Sequence, residues 1–186
     1  VVGFKNKDVV ILEDKFKAVS SVLKVCTDDG SYGRKGLVTE ALKELLDEGK
    51  PLPFPVEGAA VYYVGPTPER PGQVIGAAGP TTSGRMDAYA PRLLDLGLAA
   101  MIGKGGRNED VQKAVVRNGA VYLAALGGAG ALMAGSVESL EIIAWEDLGC
   151  EAVRRLEVED MPLTVILDSV GGNLYKSGPA AYLASR

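Results

Sequence analysis

Three times in this 186-residue chain a short, mostly apolar run stops at glycine, and helical segments lie between and after these runs. The runs are AAVYYVG at 59–65, LAAMIGKGG at 98–106 and AVYLAALGG at 120–128. The first, apolar along its whole length, reads as a buried strand, and the other two read as strands ending in glycine loops. Strand, glycine turn and helix in succession specify an α/β domain with a substantially parallel sheet.

The helices are marked by their ends as much as by their periodicity. In LVTEALKELLDE (37–48), Leu37, Ala41, Leu42, Leu45 and Leu46 share one face; Gly49 follows and Pro51 and Pro53 stop the helix. NEDVQKAVVRNG (108–119) opens on Asn108, an N-cap residue, and closes at Gly119. GALMAG (130–135) is a short helix, and another is expected to start within Thr81 to Asp87 and run to about Leu96. Further strands are expected at DVVIL (8–12), VLKVC (22–26), SLEIIAW (139–145) and PLTVILD (162–168). A short helix is expected over 13–20, a loop over 27–36, a constrained Pro- and Gly-rich loop over 66–80, and turn and surface over 169–186.

Composition bounds the chemistry. The net charge is -4 and the 20 Lys and Arg are scattered without a basic stripe, which argues against a nucleic-acid partner. No apolar run approaches the roughly 20 residues that span a bilayer. The first residues carry Lys5, Lys7, Asp8, Glu13, Asp14, Lys15 and Lys17, unlike a signal peptide, so a cytoplasmic protein without a membrane partner is expected. Two cysteines, Cys26 and Cys150, suit a reducing compartment. With no histidine, Ser–His and Cys–His catalysis and histidine-ligated metal are excluded within the chain. Two cysteines cannot alone supply the usual thiolates of an iron–sulfur cluster. Neither GxGxxG nor GxxxxGK[ST] occurs. Chemistry here falls to Thr, Lys, Arg, Asp or Glu, or to a cofactor brought by a partner.

In α/β folds ligands bind at the carboxyl ends of strands. Three glycine-rich loops fall there. In GPTTSGRMD (79–87), Thr81, Thr82 and Ser83 precede a helix whose N-terminus favours an anion, and Arg85 adds a bidentate carboxylate partner. The plain alternative is N-capping by Thr or Ser with Arg85 in solvent. In GKGGR (103–107), Lys104 sits between glycines that let a ligand approach the backbone; the alternative is a tight turn with a solvated lysine. GGAGAL (127–132) is an uncharged backbone cradle or a close-packed turn. A fourth segment, SYGRKG (31–36), carries Arg34 and Lys35, a pair more typical of a surface loop. Cations and hydroxyls without an evident carboxylate base suit a small anion such as a dicarboxylate, with Arg85 and Lys104 as clamps.

From about Leu45 to Leu174 the chain resembles the β subunit, or C-terminal domain, of class I iron–sulfur fumarate hydratases and their tartrate dehydratase relatives. The matching text is LLDEGKPLPF (45–54), YYVGPTPERPGQVIGAAGPTTSGRMD (62–87), MIGKGGR (101–107), GAVYLAALGGAGAL (119–132) and RLEVEDMPLTVILDS (155–169). The resemblance implies a swivelling β/β/α domain over 43–186 and reversible hydration of fumarate to (S)-malate. It implies an α subunit as partner, bearing a [4Fe–4S] cluster that this chain does not itself bind, with the substrate between the two parts. It implies Thr81 as the base at C3, and Thr82, Arg85 and Lys104 as substrate contacts.

The N-terminus departs from that pattern. Where the family has a GxxYTARDAAHKR-like segment, this chain reads GSYGRKGLVTEALKE (30–44). Counting back without gaps puts Lys35 at the family's substrate-binding arginine; a shift of one puts Arg34 there. Residues 3–42, through GFKNKDVVILEDKF and TDDGSYGRKGLVTEAL, resemble instead part of the nicotinamide-nucleotide-binding region of ferredoxin–NADP reductase-like electron-transfer subunits, making 1–42 an atypical N-terminal segment. The resemblances leave four readings: a fumarate hydratase β subunit; a tartrate dehydratase β subunit; a dicarboxylate-binding or assembly module impaired in catalysis; and a nucleotide-binding electron-transfer fragment carried by 3–42.

Overall fold

The computed structural model describes residues 2–4, 7–9, 25–27, 31–32, 34–35, 47 and 52–186. The chain divides into two compact units, Val1–Leu52 and Pro53–Arg186. In the first, β1 (Val2–Phe4), β2 (Val25–Thr27) and β3 (Arg34–Lys35) form a parallel sheet in that order. Two expectations change here. Lys7–Val9 is a 3-10 turn where a strand over 8–12 was expected, and the expected loop over 27–36 contains β3 and the end of β2. The helix expected at 13–20 lies outside the described residues, as does that at 37–48 save Asp47, which is helical.

The second unit is a mixed α/β structure. Its four-stranded sheet runs β4 (Ala60–Tyr62), β5 (Ala100–Gly103), β6 (Val121–Ala124), β9 (Thr164–Leu167). The first two pairings are parallel, with Ala60 opposite Ala100 and Gly103 opposite Ala124. Parallel neighbours require crossovers, supplied by α1 (Ala90–Asp95) and α2 (Glu109–Arg117). β9 closes the sheet antiparallel to β6, so the sheet is mixed rather than wholly parallel.

Local sequence accounts for these elements. The Asn108 side chain accepts from the Val111 amide at 2.9 Å, satisfying a donor that the first turn of α2 leaves unpaired. Glu109 and Asp110 in the first turn and Arg117 in the last complement the helix dipole. Val111, Ala114 and Val115, one helical stripe, are fully buried. They share the core with Leu94, Leu98, Met101 and Tyr122. Gly119 leaves the helix at φ +64°, a conformation that L side chains resist.

Beyond β6, α3 (Gly130–Gly135) occupies the expected residues. A hairpin of β7 (Val137–Ala144) and β8 (Val153–Val158) follows, antiparallel and separate from the main sheet. β8 was not expected from the sequence: Arg154, Arg155 and Glu157 interrupt its apolar residues. Cross-strand partners hold it: Arg155 meets Glu141 at 2.7 Å, and the Ser139 hydroxyl donates to Glu157 at 2.8 Å. Val137 packs with Ile75 and Ala78 in a small second core beneath. The expected turn over 169–186 is corrected to α4 (Leu174–Ala184). Asn173 caps it by accepting from the Tyr175 amide at 3.1 Å, and Pro179 lies within it.

Candidate functional site

The helix expected from the Thr81–Asp87 region to Leu96 is two pieces, a 3-10 turn at Ser83–Met86 and α1. A single turn sums little dipole, so the helix-terminus reading of anion binding gives way to one resting on side chains. The capping alternative is not realised either: Thr82 occupies the N-cap position but its hydroxyl accepts no capping bond.

The turn is stitched to the end of β5. Thr82 pairs with Lys104 in a parallel bridge, and the Ser83 amide donates to the Lys104 carbonyl at 3.0 Å. Upstream, the Thr81 amide donates to the Tyr63 carbonyl at 2.8 Å, with Val64 and Pro80 bridged antiparallel. Three of the predicted site residues are thereby in adjoining backbone, and Arg85 follows within the same turn. Thr81 is half-buried, Thr82 and Arg85 are exposed, and Lys104 is half-buried. No side-chain hydrogen bond or ion pair ties Arg85 or Lys104 to another described residue.

The third loop joins the other two. The Gly103 carbonyl accepts from the Ala125 amide, and the Gly130 carbonyl from the Ala78 amide, each at 2.9 Å. The Lys104 side chain lies across Gly127: a Cβ there would stand 3.7 Å from Cδ and 3.9 Å from Nζ. Gly79 and Gly130 touch through backbone, which their lack of side chains permits. Glycine in GGAGAL therefore serves close packing as well as exposure beside Lys104.

A buried polar layer underlies these loops. Ser83 is fully buried, and the Tyr122 hydroxyl lies 3.0 Å from its Oγ and 2.9 Å from the Gly105 carbonyl. Burial pushes the phenols of Tyr122 and Tyr63 up. It pushes Tyr62, whose hydroxyl donates to the Ala78 carbonyl at 2.6 Å, up to about 12. All three stay neutral near pH 7 and act as hydrogen-bonding groups there. Arg107, 6% exposed, donates from Nε to Asp87 Oδ1 at 2.6 Å, while Asp87 Oδ2 accepts the Asn108 amide at 2.7 Å.

Asp87, Arg107 and Tyr122 were not among the predicted site residues, and Ser83, expected beside Thr81 and Thr82 in the anion loop, is instead buried. Ser83, Asp87 and Arg107 all sit in the quoted GPTTSGRMD and GKGGR motifs, but nothing in either motif says that the two segments pair. Arg34 and Lys35 form β3; their side chains lie outside the described residues. As for metal, the chain has two cysteines and no histidine, and Cys150 is exposed. Among the described residues no three His, Cys, Asp or Glu side chains gather, a donor set that does not fit cluster ligation. Nor is any described helix long and apolar enough to cross a membrane.

Comparison with known proteins places the whole region in context. The family model described as fumarase C-terminus matches residues 33–178. The class I aerobic fumarate hydratase of Escherichia coli K12 is 39% identical over 137 residues, 73% of this chain and 25% of that protein. Fumarate hydratase 2 of Leishmania major is 37% identical over 136 residues, covering 72% of this chain and 24% of the relative. The "Putative L(+)-tartrate dehydratase subunit beta" of Methanocaldococcus jannaschii is 37% identical over 139 residues, 72% of this chain and 71% of the relative. The chain thus spans about a quarter of the length of the fumarate hydratases it matches, and most of the length of the tartrate dehydratase subunit.

Proposed function

Because the chain belongs to the fumarase C-terminus family, we propose that it is the β half of a class I fumarate hydratase, working with an α subunit on a small dicarboxylate. Its relatives are hydro-lyases that act as fumarate hydratases or bear the tartrate dehydratase name. The observation that carries the reading is the backbone pairing that sets Thr82 beside Lys104, with Thr81 and Arg85 flanking and both cations unpaired among the described residues. Two cations suit two carboxylates, and a guanidinium can take one of them bidentately. On this reading the swivelling β/β/α architecture belongs to the second unit, and the site closes when that unit meets its partner.

In the dehydration direction, one proton leaves C3 of malate and the hydroxyl leaves C2, so that the elements of water depart and the double bond forms. Arg85 and Lys104 hold the carboxylates, with Thr82 as a further contact. Thr81 is the group to which the C3 proton passes. A threonine hydroxyl is a poor base unless its neighbours stabilise the alkoxide, and an adjacent ammonium is the type of neighbour that does so. Arg34 or Lys35 takes the place of the family's N-terminal arginine. The [4Fe–4S] cluster belongs to the α subunit, because the donors of this chain do not fit it. On this reading the protein works in the cytoplasm. A tartrate dehydratase β subunit is the second reading, favoured by the 71% coverage of such a subunit.

The test mixes the full chain with a reconstituted class I α subunit without oxygen, and follows loss of fumarate absorbance, with (2R,3R)-tartrate in a parallel arm. Fumarate turnover only in the mixture, abolished by Thr81→Ala, is the expected result. Turnover of tartrate alone supports the second reading. A complex that forms yet turns over neither substrate refutes both and leaves an assembly module.

A further inference from the structure

Arg107 is a cation in the wrong place for ordinary stability. Its side chain is wholly removed from solvent, with its guanidinium carbon 5.5 Å from the Tyr63 ring centre and 5.1 Å from that of Tyr122. Nε is taken by Asp87 and Nη1 reaches the Met101 sulfur at 3.2 Å, a weak acceptor. Among the described residues Nη2 has no well-aligned hydrogen-bond partner, and neither has the buried Tyr63 hydroxyl, whose side chain faces the guanidinium. A buried ion pair repays its desolvation only when its remaining donors are satisfied; apolar side chains of similar volume often serve the fold as well or better. Stability therefore does not account for a guanidinium at this position.

Geometry does. Asp87 ends the turn that carries Arg85 two residues earlier, and Arg107 ends the glycine turn that carries Lys104 three residues earlier. Between Lys104 and Arg107, Gly105 stands at φ +86°, a conformation that L side chains resist. Backbone pairing joins the loops at one end, between Thr82, Ser83 and Lys104. The Asp87–Arg107 contact joins them at the other, and the Asn108 amide on Asp87 adds a second strut. A guanidinium fork flanked by two aromatic rings fixes direction as well as distance, which a lysine ammonium cannot do.

We propose that Arg107 is a positioning residue that, through Asp87, sets the separation of Arg85 and Lys104 and so matches the site to a ligand with two carboxylates. The ligand class rests on the hydratase reading; the mechanical role does not. A misplacement of about 1 Å between binding groups is enough to cost much of an oriented interaction.

The experiment uses Arg107→Lys, which keeps the charge, and Arg107→Met with Asp87→Asn, which removes both charges. Amide hydrogen exchange on the full chain reads the coupling of the loops without any ligand. The expected result is exchange at the Ser83 amide faster by about tenfold or more in both variants, with Val115 in the core of α2 unchanged. In complex with the α subunit, the KM for fumarate is expected to rise about tenfold while kcat changes little, as for loss of binding common to ground and transition states. Unchanged exchange at Ser83 in a folded variant overturns the proposal, as does a fall in kcat at constant KM. If the native complex does not turn over fumarate, the hydratase reading fails and the exchange result alone decides the role of Arg107. If the double variant does not fold, Arg107→Lys carries both measurements.

Discussion

Gly103 is the position where the packing beneath the candidate site can be tested most sharply. A Cβ added there would collide with Ser83 Oγ, and would stand 3.2 Å from Tyr63 Cδ2 and 3.3 Å from Ser83 Cβ. None of these atoms has room to retreat: Ser83 is fully buried and its hydroxyl is held at 3.0 Å by that of Tyr122. The backbone of Gly103 is an ordinary strand, so Gly103→Ala tests volume alone. Overpacking of this size costs about 1–3 kcal/mol. Taking about 2 kcal/mol, Tm falls by about 4–8 °C for a chain of this size. Ser83→Ala alone gives up one hydrogen bond, about 1 kcal/mol. Together the two should cost less than their sum by about 1 kcal/mol or more, because the serine oxygen is the atom in the way. Thermal unfolding followed by circular dichroism on the four proteins of this cycle measures the coupling. Additive losses would refute the reasoning, since they would mean that the alanine methyl does not meet Ser83.

Two further perturbations probe elements that position the site. Asn108→Ala removes the cap of α2 and should lower stability by about 1 kcal/mol, read as a lower urea midpoint at unchanged m. The Tyr62 phenol is held up to about 12 by burial, above its ordinary 10.0, so its contribution to stability is present below pH 10 and is lost as pH rises through about 12. Unfolding measured between pH 9 and 12 should therefore show a stability loss that Tyr62→Phe reduces.

Much of the scaffold was legible because its signals are local. Asn108 and Gly119 bracket α2, and Val111, Ala114 and Val115 mark its inward face within one turn of each other. α3 is an uninterrupted run of helix-compatible residues between glycines. α4 was illegible because Gly178 and Pro179 read as breakers, although eleven residues and an asparagine cap sustain it. β8 was illegible because its order comes from partners on β7, not from its own composition. The site divides in the same way. Thr81, Thr82, Arg85 and Lys104 could be named from their loops. Their adjacency depends on a bridge between residues 82 and 104, and the Asp87–Arg107 contact spans a similar separation. No local pattern encodes such pairings.

That pairing also bears on why the proposed activity needs a second subunit. The three loops at this end of the sheet, 79–87, 103–107 and 125–132, contain one carboxylate between them, Asp87. One of its oxygens accepts from Arg107 and the other from the Asn108 amide, so both are engaged in holding the loops together. What remains facing outward is cationic and hydroxylic: Arg85, Lys104, Thr82 and the half-buried Thr81. Such a surface can bind a dianion and orient it, but elimination of water also requires a group that draws the departing hydroxyl away. The one carboxylate of these loops is engaged by Arg107 and the Asn108 amide, and among the described residues no group of metal-ligating side chains gathers. On the proposed reading the second requirement therefore falls to the α subunit. This half contributes orientation, and Thr81 contributes proton transfer only once a partner has excluded water and raised the electrostatic value of the adjacent cations.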